Sequence, residues 1–549
     1  MTFAPTIGLI AEYNPFHNGH VYQLAKLREL HPDAAIVVIM SGSFTQRGGA
    51  AIADKWTRAA WAVRGGADLV LELPYAFACR SAEHFASGGV QCLAGLGCID
   101  ALAFGAEAEH IEPLEKAAAC MDDAALQEAL HARIAGGASY AAVMAAEVAA
   151  RTGVAAEVLR APNNILGMEY LRAVRRFAPE METLLVQRVG TDYHDTDMHG
   201  RFASASAIRA ALEGIYGEIP STAQSSLSHA LPSPHPQSLR DSPLREGASG
   251  FLLSPSQKPK LKPFSKEEAS GFPLPPSQRG GDREAVGGVA KVGCESLMDC
   301  AGEGSHGEIP PTAQSSLSHA LPSPLLPSAS LTAPSEREPF KFDSPSDSTT
   351  KTYFDHLKRV MPTGVFHDLQ QSLPDRLPRQ SFLLRPLLSR LLLLDAASLS
   401  AVCGMGEGLE HRLMEKAQMA RSFEGLVGAM ATRRYPRSRI ARLLVHVLTG
   451  FTAEAAAAFD ATGPRYLRVL AMNARGARLL HRAKKTARLP IITKTSQFLK
   501  SKDMLRTWED LTPLQQMLLF DVRATELREM AVPERGRTGA DFRTSAKFL

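Results

Sequence analysis

The stretch Thr6-Ile-Gly-Leu-Ile-Ala-Glu-Tyr-Asn-Pro-Phe-His-Asn-Gly-His20 constrains the fold of this chain more than any other. Its apolar run Ile7 to Ala11 predicts a first β-strand, Tyr13-Asn14-Pro15-Phe16 a turn, and His17-Asn18-Gly19-His20 the opening of a helix through Leu30. A strand that feeds a turn into a helix start aims free backbone N–H groups, and the positive end of the helix dipole, at one point. That is how main chain binds an anion. Gly19 has no Cβ to keep a phosphate from the backbone. His17 and His20, three residues apart, can donate hydrogen bonds to one phosphate. An isolated HxGH string is better explained by two surface histidines beside a turn. The strand before it and the amphipathic helix after it tip the reading to a nucleotide phosphate.

Up to about residue 214 strands and helices alternate. Strands are expected at Ile7–Ala11, Ala35–Met40, Asp68–Leu73, Ala101–Phe104 and Leu184–Val189, with helices such as Ala53–Arg64, Ala82–Leu96 and Pro113–Ala150 between them. Short apolar strands separated by helices imply an α/β fold with a parallel sheet covered on both faces. Ligands then bind at the carboxyl ends of the strands. The Asn14–His20 turn, Ser41-Gly42-Ser43 and Gly105 should share that edge.

Residues 217–350 have another character. Ser and Pro dominate, and GEIPSTAQSSLSHALPSP at 217–234 recurs at 307–324 with only Ser221 against Pro311 differing. Two low-complexity copies cannot build a stacked core, so the segment reads as a disordered insertion carrying a duplication. From 351 to 549 apolar residues return at helical spacing, in Leu383–Leu394, Gly408–Met430, Arg437–Leu448 and Ala471–Lys485, which predicts a mainly α-helical second domain.

At 549 residues, the chain needs more than one ordinary domain. Its seven cysteines include no CxxC pair and suit free thiols in a reducing cytoplasm. The chain starts on a strand and not a secretory signal, and Arg385 and Arg390 interrupt the apolar run Phe382 to Leu394, so neither export nor a membrane span is expected. The net charge of +4 is too small to argue for nucleic acid by itself. Its distribution says more. Arg433-Arg434-Tyr435-Pro436-Arg437-Ser438-Arg439 is followed by Arg442, then by Arg465, Arg468, Arg475, Arg478, Arg482, Lys484, Lys485 and Arg488. Clustered arginine with an interleaved tyrosine suits RNA phosphates and an unstacked base; a solvated helix face explains it equally well.

The string AEYNPFHNGHVYQL resembles the bacterial tRNA(Met) cytidine acetate ligase family, within the HIGH-type nucleotidylyltransferase superfamily. Further matching segments follow in order: QRGGAAIADKWTRAA (46–60), GADLVLELP (66–74), SAEHFASGG (81–89), LAFGAE (102–107), PNNILGMEYLRA (162–173), FASASAIRAAL (202–212), RRYPRSRIARLL (433–444), YLRVLAMNARGARLL (466–480) and LPIITK (489–494). The resemblance spans nearly everything outside the insertion. It implies a Rossmann-like nucleotidylyltransferase domain at 1–216, the insertion at 217–350, and a mainly helical tRNA-binding domain at 351–549.

The same resemblance places ATP against Ile10, Ala11, Glu12, Tyr13, Asn14, Pro15, Phe16, His17, Asn18, Gly19, His20, Val21, Tyr22 and Gln23, and against Gly105, Asn163 and Arg188. Each of the last three has a physical rationale: a strand-ending glycine, an amide with donor and acceptor, and a bidentate cation. Asn163 and its neighbour Asn164 are indistinguishable at this stage. Phe202–Arg209 resembles the second superfamily signature, in which Ser204 or Ser206 caps a helix and Arg209 holds the outgoing pyrophosphate. His17 and His20 are the expected catalytic groups, with Lys55 or Arg47 assisting, and Mg²⁺ is expected to be carried with ATP. Acetate would be activated as acetyl-adenylate and passed to N4 of the wobble cytidine of elongator tRNA(Met), with Arg433, Arg434, Tyr435, Arg437 and Arg439 on the RNA; no protein partner can be inferred. Cys79 reads as a buried thiol. Two alternatives are a nucleotidylyltransferase acting on a small phosphorylated acceptor and a non-catalytic RNA-binding protein; the latter predicts a degraded turn, yet His17, Gly19 and His20 are intact.

Overall fold

All seven residues of the strand Ala35–Ser41 are buried, as a strand covered on both faces must be. In the computed structural model this strand, β2, lies parallel to β1 (Thr6–Ala11), with Ile7 opposite Ile36 and Leu9 opposite Val38. Beyond β2 comes β3 (Leu69–Leu73), and beyond β1 come β4 (Ala101–Ala106) and β5 (Glu182–Gln187), all parallel. Residues 5–135, 140–188, 201–218, 348–373, 375–534 and 538–549 are described.

The strand order β5-β4-β1-β2-β3 reverses direction at β1, which makes the crevice between the carboxyl ends of β1 and β4 the topological switch point. The Asn14–His20 turn, Ser41–Ser43 and Gly105 all fall on that edge, as the alternation implied. The expected long helix over Pro113–Ala150 divides into Glu112–Met121, Ala124–Ala135 and Tyr140–Thr152.

The second half of the chain is not purely helical. β6 (Leu467–Met472) pairs antiparallel with β3, and β7 (Ile491–Ile492) and β8 (Lys547–Phe548) pair with its far edge, so this half completes the sheet. The helix expected over Ala471–Lys485 begins only at Ala474, and Ala471 and Met472 belong to β6. What holds it as a strand is β3, an otherwise bare edge of buried residues, apolar except for Glu72, which lies opposite Arg468. The expected insertion lies outside the described residues, except that the helices Ala205–Glu218 and Ser348–Val360 reach into its two ends.

Candidate nucleotide site

The helix Asn18–Leu30 starts with a reciprocal cap built from the two histidines. His17 Nδ1 accepts from the Gly19 N–H at 3.1 Å, and His20 Nδ1 accepts from the His17 N–H at 3.2 Å. Their rings stack with centroids 3.8 Å apart. An imidazole that accepts at Nδ1 carries its proton on Nε2, so both rings are left as neutral Nε2–H donors. Burial, then the charges of Arg188 and Arg209, hold His17 down to about 3; burial, then His17 and Arg188, hold His20 well below the ordinary value. Gly19 has a reason the sequence did not reveal. A Cβ there would stand 2.9 Å from His17 Cε1, so glycine makes room for the capping ring itself.

Several residues of the motif also have duties in building the turn. Phe16 is fully buried and meets Tyr13 edge-on at 5.0 Å and His20 at 5.5 Å. Asn14 Oδ1 accepts from the Ile52 N–H at 2.7 Å, and its carbonyl accepts from Arg209 Nη1 at 2.6 Å. Asn18, half-buried, donates to the carbonyls of Arg201 and Arg359 at 3.0 and 2.8 Å. Tyr22 sits edge-on to Phe202 at 6.1 Å, while Ile10, Ala11 and Val21 are half-buried packing residues. Pro15 follows Asn14 through a cis peptide bond.

Arg58 was missed by the sequence reading. Fully buried, it donates to the carbonyls of Glu12, Ser41, Gly42 and Ala53, fastening the ends of β1 and β2 to the start of the next helix. Five donors in a rigid fork suit it to gathering carbonyls from three loops. Nothing in its local sequence separates it from a surface arginine.

The Phe202–Arg209 segment opens a helix as expected. Ser204 is the cap, its Oγ accepting from the Ala207 N–H at 3.0 Å, whereas Ser206 takes a bond from Arg209 at 3.2 Å. Arg188 follows β5, and its backbone N–H bonds to the Ala106 carbonyl at 3.0 Å. Gly105 adjoins it: a Cβ there would lie 3.5 Å from both Arg188 Cγ and Gln23 Nε2. The structure thus gathers His17, His20, Gln23, Gly105, Arg188 and Arg209 around the switch point.

Asn163 and Asn164 are separated by their bonds. Asn164 is buried and spent: its Oδ1 accepts from the Glu107 and Ala108 N–H groups at 2.9 and 3.0 Å, and its Nδ2 donates to the Val158 carbonyl at 2.9 Å. Asn163 is half-buried and donates through Nδ2 to Glu107 Oε1 at 2.5 Å. Glu107, next but one to Gly105, is the second residue the sequence reading missed.

Three expectations do not hold geometrically. Lys55 has no exposed surface to offer a phosphate; its Nζ lies 2.8 Å from Glu72 Oε1 and 2.8 Å from Asp541 Oδ1, in a buried network that Arg468 completes. Those partners are distant in sequence, so a lysine at a helix start beside the motif passed for a phosphate ligand. Tyr435 is only 8% exposed, its hydroxyl bonded to Glu407 and its ring covered by Arg439 at 4.6 Å, which leaves no free face for a base. Finally, the basic residues divide between the two edges of the sheet. Arg442 donates to the Gln46 carbonyl at 3.1 Å, close to the carboxyl edge. By contrast, Arg475 reaches the Ala34 carbonyl and Arg482 the Thr6 hydroxyl, at the amino ends of β2 and β1. Arg433, Arg434, Arg437 and Arg439 remain exposed around the start of the helix Arg437–Thr449. Arg47 is exposed as well.

Among the described residues no three His, Cys, Asp or Glu side chains cluster as a metal site, and no helix is long and apolar enough to cross a membrane. Cys79 is buried, and burial pushes its thiol up to about 12.

The HIGH Nucleotidyl Transferase family description matches residues 4–252 and 344–540. A protein of Syntrophotalea carbinolica named tRNA(Met) cytidine acetate ligase is 30% identical over 538 residues, covering 96% of this chain and 94% of that protein. One of the same name from Geobacillus sp. is 28% identical over 497 residues, covering 89% of each. Among solved structures, apo Thermotoga maritima TmcAL has the same fold, with a TM-score of 0.68 at 23% identity over 99% of both chains. A second, bound with alpha-thio ATP, gives a TM-score of 0.66. The sheet order, the paired histidines and the helix cap at Ser204 therefore fit their surroundings: this chain belongs to the HIGH nucleotidyl transferase family, alongside the tRNA(Met) cytidine acetate ligases.

Proposed function

We propose that this protein activates acetate with ATP and transfers the acetyl group to N4 of the wobble cytidine of elongator tRNA(Met). The observation that carries the reading is the pair of neutral Nε2–H donors at one helix start, with the charge of Arg188 acting on both rings and that of Arg209 on His17. The name shared by relatives that match along nearly their whole length supplies the acceptor and the acyl group.

In this reading a carboxylate oxygen of acetate attacks the α-phosphorus of ATP, and pyrophosphate departs. Negative charge grows on the α-phosphate oxygens as the two imidazoles donate to them. Donors fixed in place before the reaction stabilise a transition state most effectively, each by about 10²- to 10³-fold. Arg209 and the N-terminus of the helix Ala205–Glu218 receive the pyrophosphate, which leaves as a multiply charged anion. The cytidine N4 then attacks the acyl carbon. A C–N bond forms, the C–O bond to AMP breaks, and N4 gives up a proton. No covalent enzyme intermediate is needed, and the raised Cys79 thiol is not one of the participants. Mg²⁺ would be carried with the triphosphate, where it offsets charge on the phosphate oxygens.

RNA would approach over Arg433, Arg434, Arg437 and Arg439, beside the loop that carries Gln46 and Arg47. These arginines act on phosphates; the Tyr435 ring, covered by Arg439, does not stack on a base.

Acetate-dependent exchange of labelled pyrophosphate into ATP tests the first step without RNA. Exchange that requires acetate supports it. No exchange with acetate, together with pyrophosphate release on adding a small phosphorylated acceptor, would transfer the protein to the alternative nucleotidylyltransferase class.

A further inference from the structure

Glu107 lies just past β4, in the crevice but outside the residues expected to touch the nucleotide. Its carboxylate is shared between two neighbours on the helix Pro162–Phe177: Oε1 accepts from Asn163 Nδ2 at 2.5 Å, and Oε2 from the Asn164 N–H at 3.0 Å. The Asn164 side chain returns the interaction by accepting from the Glu107 N–H at 2.9 Å. Glu107 is thereby held on both its main chain and its side chain, and its position relative to the first turn of that helix is fixed.

A carboxylate only accepts hydrogen bonds, so the Asn163 amide has one orientation available: nitrogen toward Glu107, oxygen away from it. Among the described residues that oxygen accepts no hydrogen bond. Resting on the nucleotide reading above, we infer that Glu107 is a positioning residue that turns the Asn163 amide so that its oxygen, and not its nitrogen, faces the ligand. The site then selects a ligand group that donates. In an adenine nucleotide the donors of that kind are the ribose hydroxyls and the exocyclic amine of the base.

The preference is read by equilibrium binding of ATP, 2′-deoxyATP, 3′-deoxyATP and inosine triphosphate to the full chain. Wild-type protein is expected to bind one analogue about tenfold more weakly than ATP, the scale of one hydrogen bond, and which analogue it is identifies the donor. Glu107→Gln releases the amide to flip and should bring that ratio close to one, as should Asn163→Ala. The double variant should lose no more than either single variant, because Glu107 acts through Asn163. A residue that merely supports the fold would lower the affinity for every nucleotide alike. Full wild-type preference in Glu107→Gln, additive losses in the double variant, or equal binding of all four nucleotides by the wild type would each overturn the inference. Should Glu107→Gln fail to fold, Asn163→Ala carries the test, since a half-buried side chain with this single bond can be removed; unchanged preference there overturns it too. Failure of the wild type to bind ATP at all is a different result, and counts against the nucleotide site itself.

Discussion

His17 and His20 cap the same helix by exchanging roles: each Nδ1 accepts from a backbone N–H of the turn, and each ring is thereby left with its proton on Nε2. The arrangement joins a structural duty to a chemical one, so substitutions can be chosen that divide them.

Asparagine is among the best helix N-caps, so His17→Asn should keep the helix start while removing the ring. Its melting temperature should stay near that of the wild type, and acetate-dependent pyrophosphate exchange should fall about 10²- to 10³-fold. His20→Ala should abolish adenylation and leave tRNA retention on filters unaffected. Loss of both activities together in either variant would contradict the division.

The acid stability of the protein should depend on the same ring. His17 is held at about 3 in the fold against an ordinary 6.5, so the native state resists a proton that the unfolded chain accepts. Its contribution is complete above the unfolded value and is lost as pH falls from there toward the folded one. Melting curves between about pH 7.5 and about pH 5 should therefore fall less steeply for His17→Asn than for the wild type. Equal slopes would show that His17 is not protected from protonation.

Lys55 should behave as a buried cation. Lys55→Met leaves Arg468 as the one cation paired with Glu72 and Asp541 among the described residues, and should destabilise the fold by about 3–5 kcal/mol. Chemical denaturation measures this directly. A variant of wild-type stability that had lost only turnover would restore Lys55 to the catalytic group.

For the exposed arginines the expectation is electrostatic. Arg437→Ala and Arg439→Ala should each weaken tRNA binding and reduce the slope of log affinity against log salt by about one. ATP affinity should not change. An unaltered salt slope would move the RNA surface elsewhere.

Removal of 225–345, the segment read as a passive insertion, should leave acetylation largely intact. Loss of activity in that variant, with the melting temperature preserved, would assign the segment a role.

Much of this was legible locally. A strand of alternately facing apolar residues, a Pro-containing turn and an HxGH helix start each lie within one short window, so Ile7–His20 and the carboxyl-edge position of Gly105 could be read from the sequence. What escaped depends on residues that meet only after folding. Lys55 looks like a phosphate ligand until Glu72 and Asp541 close around it. Asn163 and Asn164 are equivalent as letters and are divided by Glu107, more than fifty residues away; the hint was an acidic residue just after a strand-ending glycine. Leu467–Met472 became a strand because β3 offered it an edge, which the helical spacing of its successors concealed. Tyr435 invited a stacking role that Glu407 and Arg439 take from it.

The most direct test of the whole proposal incubates the purified protein with ATP, Mg²⁺ and labelled acetate, with or without bulk tRNA, and digests the RNA to nucleosides. Labelled N4-acetylcytidine that forms only when tRNA and ATP are both present is the predicted result. Its absence, with the protein folded and binding ATP, would contradict the assignment of this chain as a tRNA cytidine acetate ligase.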